Sequence, residues 1–112
     1  MGIGLDLNGF NGGRGPRFGP KGCGPDQEDP ITYPFTSHAG DVVFTPPSVG
    51  NRDLDFNTEG MVHVGLLPEM IEDARRDAES DAQLEPLFRS AEAYIRFWER
   101  SEERGEDLRD KL

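Results

Sequence analysis

The chain has 112 residues, 34% of them hydrophobic, and a net charge of −10 from 22 acidic and 12 basic side chains. That length admits at most one small domain, with a core that is small or is completed by something else. So acidic a body repels nucleic-acid phosphates and anionic lipid, which excludes both as natural partners, and no run approaches the ~18 apolar residues of a membrane span.

The first element is a short strand over residues 2–7, Gly2-Ile3-Gly4-Leu5-Asp6-Leu7, an apolar run carrying one carboxylate. A buried strand of this kind delivers an acid to the rim of an α/β site, where the following loop holds the chemistry. The N-terminus lacks the basic and apolar regions of a signal peptide, so a cytoplasmic protein is expected. Residues 1–24 set Asp6 against Arg14, Arg17 and Lys21, a local charge of +2, which leaves −12 for residues 25–112.

A long loop over residues 8–65 follows, rich in Gly, Pro, Asn and Asp, with turn signals at Asn11-Gly12-Gly13, Gly15-Pro16, Gly19-Pro20, Gly24-Pro25, Asp29-Pro30 and Pro46-Pro47. Inside it Asp41-Val42-Val43-Phe44-Thr45 reads as a brief strand. So long a loop in a compact domain marks either a functional lid or an error in the element assignment.

Helical periodicity begins at residue 67. Leu67, Met70, Ile71 and Ala74 recur at i, i+3, i+4 and i+7 and predict a helix over 67–77 with these four as its buried stripe. Pro68 and Glu69 suit the first turn. After a polar break at 77–81, Leu84, Leu87, Phe88, Ala91, Tyr94, Ile95 and Trp98 keep the same period and predict a helix over 82–103 whose stripe is core. Pro86 is tolerable only near the start of such a helix, and Ser90 is an alternative cap for a second one. Residues 101–112 read as a charged tail, weakened further by Gly105 and expected to fray.

Three stretches, in this order, resemble a known family. Gly2-Ile3-Gly4-Leu5-Asp6-Leu7-Asn8-Gly9 is similar to the end of the eighth barrel strand in renal-dipeptidase-like members of the amidohydrolase superfamily. Thr58 to Glu69 resembles the approach to the barrel's closing helix, and Leu84 to Glu99 the terminal helical pair that covers it. The resemblance implies an α/β chain, a partial (β/α)8 TIM-barrel element made of the last strand, the long loop and the C-terminal helices over residues 1–100. It also implies metal-dependent hydrolysis of C–N bonds in a small peptide-like or amide substrate. One or two divalent ions, usually zinc, would polarise the carbonyl and acidify a bound water, and Asp6 would contact the metal-bound hydroxide and accept its proton. Leu5 departs from the small or hydroxyl residue usual in the family. The His-x-His of the first strand, the bridging carboxylate and the later histidines are absent, so the metal would bind only if the remainder of a barrel were supplied.

Asn8 is a candidate to orient Asp6 or bind substrate, though Asn8-Gly9 is equally a turn. Arg14 and Arg17 are candidates to hold a substrate carboxylate bidentately. His63 is a candidate substrate contact, with a satisfied, half-buried side chain as the plainer reading. His38 and Asp41 do not make a metal site between them, and Cys23, flanked by glycines, has no recognisable His partner. A single cysteine also excludes an internal disulfide. No Gly-x-Gly-x-x-Gly follows the strand, which removes dinucleotide binding. The alternatives to an enzyme segment are a small acidic protein-interaction module, which docks its strand and helical stripe on a partner, and a truncated product without activity.

Overall fold

The structure, a computed structural model, describes residues 13–112; the strand expected at 2–7, with Asp6 and Asn8, lies outside the described residues. The described chain divides into two compact units, residues 13–79 and 80–112. It is a mixture of helices and small antiparallel strands.

In the first unit the expected structureless loop is instead tightly organised. Strands β1 (Phe35–Thr36) and β2 (Val43–Phe44) pair antiparallel, with Phe35 opposite Phe44. The brief strand expected at 41–45 is thus present as β2, shortened to its apolar pair. The connection is closed by the Ser37 side chain, whose hydroxyl donates to Asp41 Oδ1 at 2.8 Å and accepts from the Val42 N–H at 3.2 Å. Strands β3 (Ser48–Val49) and β4 (Arg52–Asp53) form a second hairpin across Gly50-Asn51. Gly50 has φ +60°, the conformation that a two-residue hairpin turn with Gly in first position requires.

Helix α1 (Phe56–Glu59) follows at once. Asp55 caps it by accepting from the Asn57 N–H at 3.0 Å, and Glu59 reaches back to the Asp55 N–H at 2.9 Å. This reciprocal capping lets so short a helix form, because it satisfies donors that a single turn leaves orphaned. Gly60 ends α1 at φ +71°. A Cβ there would lie 2.4 Å from the Arg14 carbonyl oxygen, which accepts from the Met61 N–H at 2.7 Å. Only glycine lets the two backbones approach this closely.

A 3-10 turn (Val64–Leu66) leads into α2 (Leu67–Asp77), whose bounds agree with the sequence expectation. The core of the unit comprises Ile31, Phe35, Leu54, Phe56, Met61 and Leu66, with Tyr33, Phe44, Leu67 and Met70 packed around it. The Phe35 and Phe44 rings stack with centroids 5.0 Å apart. The expected apolar stripe of α2 is corrected in one respect. Leu67, Met70, Ile71 and Ala74 are only half-buried, whereas Glu69, Glu72 and Asp73 are almost fully enclosed.

In the second unit the helix expected over 82–103 is two helices, α3 (Asp81–Phe88) and α4 (Ser90–Arg109). The break falls at Arg89, beside the alternative start at Ser90, although no side chain caps α4. Pro86 sits inside α3, near its end rather than its start. Of residues 101–112, expected to fray, those up to Arg109 belong to α4. Glu and Arg are strong helix formers, and acid–base pairs four apart, such as Glu92 with Arg96, support the backbone. The stripe expected to be core is also corrected. Leu84, Leu87 and Phe88 are half-buried, while Ala91, Tyr94, Ile95 and Trp98 are exposed. No helix among the described residues is long and apolar enough to cross a membrane.

Candidate functional site

Sequence places Arg14 and Arg17 on the loop that leaves the Asp6-bearing segment, and the structure brings both to one carboxylate. Arg14 Nη2 lies 2.9 Å from Asp73 Oδ2 and Arg17 Nη2 lies 2.8 Å from Asp73 Oδ1. Each carboxylate oxygen thus meets its own guanidinium. The Asp73 side chain is 3% exposed, so the pairing lies where water screens poorly. The Arg17 backbone is held as well: its carbonyl accepts from the Cys23 N–H, and Phe18 N–H donates to the Asn57 carbonyl. Asn57 in turn fixes the next stretch of loop, accepting from the Ile31 N–H and donating to the Ile31 carbonyl, both at 2.9 Å. A side-chain amide here makes the pair of bonds that a neighbouring strand would make.

The same face of α2 carries the rest of the cluster. Residues 69, 72, 73 and 76 follow helical spacing, so their side chains project together. Glu72 accepts from Arg75 Nε at 2.8 Å and from Arg76 Nε at 2.9 Å. Burial works to raise the Glu72 pKa, but the hydrogen bonds and charges of Arg75 and Arg76 outweigh it and hold the carboxyl below its ordinary value. Arg76 spends its remaining donors on Asp29, the Pro30 carbonyl and the Thr32 hydroxyl, and so ties the loop to the helix a second time. Glu69 Oε1 accepts from the Tyr33 hydroxyl at 3.0 Å. Burial, and next the Glu69 charge, push the Tyr33 pKa up. Arg17 Nε and Glu69 Oε2 are buried with no hydrogen-bond partner among the described residues.

A cleft of about 510 Å³ opens beside the cluster, lined by Arg17 and Arg76 and by Asp26, Gln27, Glu28, Asp29 and Asp77. Walls carrying both signs suit a small polar ligand with both charges, although both guanidinium groups already serve carboxylates of the protein. The Arg14–Arg17 fork has the geometry for a carboxylate, and Asp73 fills it.

The remaining candidates do not join this cluster. His63 is exposed rather than half-buried, and its Nδ1 accepts from the Gly65 N–H at 2.9 Å, capping the 3-10 turn. His38 and Cys23 are exposed. Among the described residues no group of three or more His, Cys, Asp or Glu is arranged to hold a metal ion. The residues that sequence reasoning missed are Glu69, Glu72 and Asp73. Their signal was charge segregation: a locally basic N-terminal block, and an acidic stripe on α2 with the same period as its apolar one.

No protein-family model matches the chain, and neither a curated protein nor a solved structure matches it.

Proposed function

We propose that this chain is the C-terminal part of a renal-dipeptidase-like, metal-dependent hydrolase of the amidohydrolase superfamily, contributing Asp6 to a site whose metal ligands come from other barrel segments. On this reading the chain is inactive alone, because a catalytic zinc takes about three protein ligands. Three similar stretches in family order support it. The observation that carries it is the double anchoring of the Arg14–Arg17 loop on Asp73 of α2. Two arginines converging on a buried carboxylate give the loop after the Asp6 segment a fixed path to the helix that resembles the barrel's closing helix. A substrate loop needs such fixity, since small misplacements at a reacting centre are costly. The substrate class is a small peptide-like or amide compound.

The test is complementation. The chain is mixed with an amidohydrolase barrel that retains its metal ligands and lacks this segment, and zinc-dependent dipeptide hydrolysis is followed. Restored turnover that Asp6→Asn abolishes is the expected result. An undiminished rate in Asp6→Asn, or no restoration by a chain shown to be folded, overturns the proposal.

A second reading, a small acidic protein-interaction module, is favoured by one observation. Helix α4 leaves Tyr94, Ile95, Phe97 and Trp98 exposed at 64%, 57%, 65% and 55%. Large apolar side chains grouped like this mark interaction surfaces rather than solvated ones.

A further inference from the structure

Residues 24–29 run from the turn at Cys23 to the Pro30-Ile31 stretch without burying a side chain. None of residues 13–30 is buried, and the first enclosed residue after them is Ile31. Both ends of the run are held. The Cys23 N–H donates to the Arg17 carbonyl at 3.1 Å, the Pro30 carbonyl accepts from Arg76 Nη1 at 2.6 Å, and the Asn57 side chain brackets Ile31. The middle is not held. A Cβ built on Gly24 would meet no atom within 4 Å, and the side chains of Asp26, Gln27 and Glu28 have no partner among the described residues.

Asp29 alone fastens the run to its surroundings. Its Oδ1 lies 3.2 Å from Arg76 Nη1, and its carbonyl accepts from Arg17 Nη2 at 3.2 Å. The Asp29 side chain is 60% exposed, which makes the ion pair a weak one. Asp29 also has φ +56°, a left-handed backbone that costs a non-glycine residue energy and persists where contacts hold it. Like charge works against this latch. Asp26 and Glu28 line the same cleft of about 510 Å³ as Asp77, the last residue of α2, and three unpaired carboxylates repel one another. With a weak pair and a strained residue on one side and repulsion on the other, opening costs little.

We propose that residues 24–29 form a hinged flap, one wall of this cleft, latched shut by Asp29 on Arg76 and pushed open by the carboxylates of Asp26, Glu28 and Asp77. Residues 17–23 stay in place when the flap lifts, because Phe18 N–H keeps the Asn57 carbonyl and Arg17 keeps Asp73. The flap thereby controls access to the two guanidinium groups at the back of the cleft, Arg17 and Arg76, each only 17% exposed while it is latched. This holds under either functional reading.

A spin label on Gln27→Cys, in a Cys23→Ser chain that has no other thiol, reports the flap. Its paramagnetic resonance spectrum is expected to contain an immobilised and a mobile component in reversible exchange. Asp29→Asn removes the ion pair but keeps a residue that tolerates left-handed backbone, and is expected to raise the mobile-to-immobilised ratio about threefold. Asp77→Asn removes repulsion without touching the latch and is expected to lower that ratio. Near-UV dichroism from the Tyr33–Phe35–Phe44 group is expected to stay unchanged in both, which separates flap motion from unfolding of the unit. A ratio that Asp29→Asn leaves unchanged, or that Asp77→Asn fails to lower, overturns the proposal. So does a mobile component that grows only as the dichroism is lost. None of these outcomes bears on the hydrolase proposal, whose readout is a zinc-dependent rate.

Discussion

Asp73 decides more of this molecule than any other side chain. It is nearly inaccessible, yet it receives two guanidinium groups from a loop far away in sequence. Removing the carboxylate strands two arginines in a poorly hydrated place, and breaking a buried pair in this way costs about 3 kcal/mol. Asp73→Asn is therefore expected to lower the unfolding free energy of residues 13–79 by an amount of that order, read as a lower denaturant midpoint. Arg14→Ala should cost much less, because its side chain is 47% exposed against 17% for Arg17, and exposed pairs are worth about 1 kcal/mol or less. Far-UV and near-UV dichroism on urea titration measure both. Equal stability of Asp73→Asn and the parent would mean that the cluster does not hold the loop.

At the scale of elements, α2 shows where sequence reading succeeds and where it stops. Its bounds were legible, because periodicity, Pro68 in the first turn and Arg75 and Arg76 in the last all agree. Its buried face was not, since periodicity selects apolar stripes and this helix encloses its acids. What reverses the usual order is a supply of arginines from residues 14 and 17, a non-local fact that no window along the chain contains. Likewise Asp55 to Glu59 holds a capping pattern one residue longer than the usual spacing, so α1 was read as loop. Asp6, which the resemblance makes the catalytic acid, lies outside the described residues. The acidic face of α2 also makes stability depend on pH. The Glu72 carboxyl titrates below its ordinary value of 4.5, so folding favours its ionised form. The resulting stabilisation is present above that ordinary value and is lost as pH falls through the lowered one. Urea midpoints should therefore drop on acidification in this window, and Glu72→Gln should flatten the drop while lowering the midpoint at neutral pH. An identical acid limb in the two proteins would assign the loss to other carboxylates.

At the scale of the whole molecule, the two units differ in what holds them. Residues 13–79 have an enclosed core bounded by Tyr33, Phe44, Leu67 and Met70. None of residues 80–112 is fully buried, and their order rests on local helix propensity and on pairs such as Glu92 with Arg96. A single two-state transition for the chain is then not expected. The aromatic residues provide separate reporters, because the only tryptophan, Trp98, is in the second unit and the Tyr33–Phe35–Phe44 group is in the first. Trp98 emission should be solvent-like and open to quenchers, since the side chain is 55% exposed. Denaturant should change it little, while near-UV dichroism from the first unit collapses cooperatively. Coincident transitions from a shielded tryptophan would show instead that the second unit is enclosed by the chain itself, and the separate accounts of the two units would fail together.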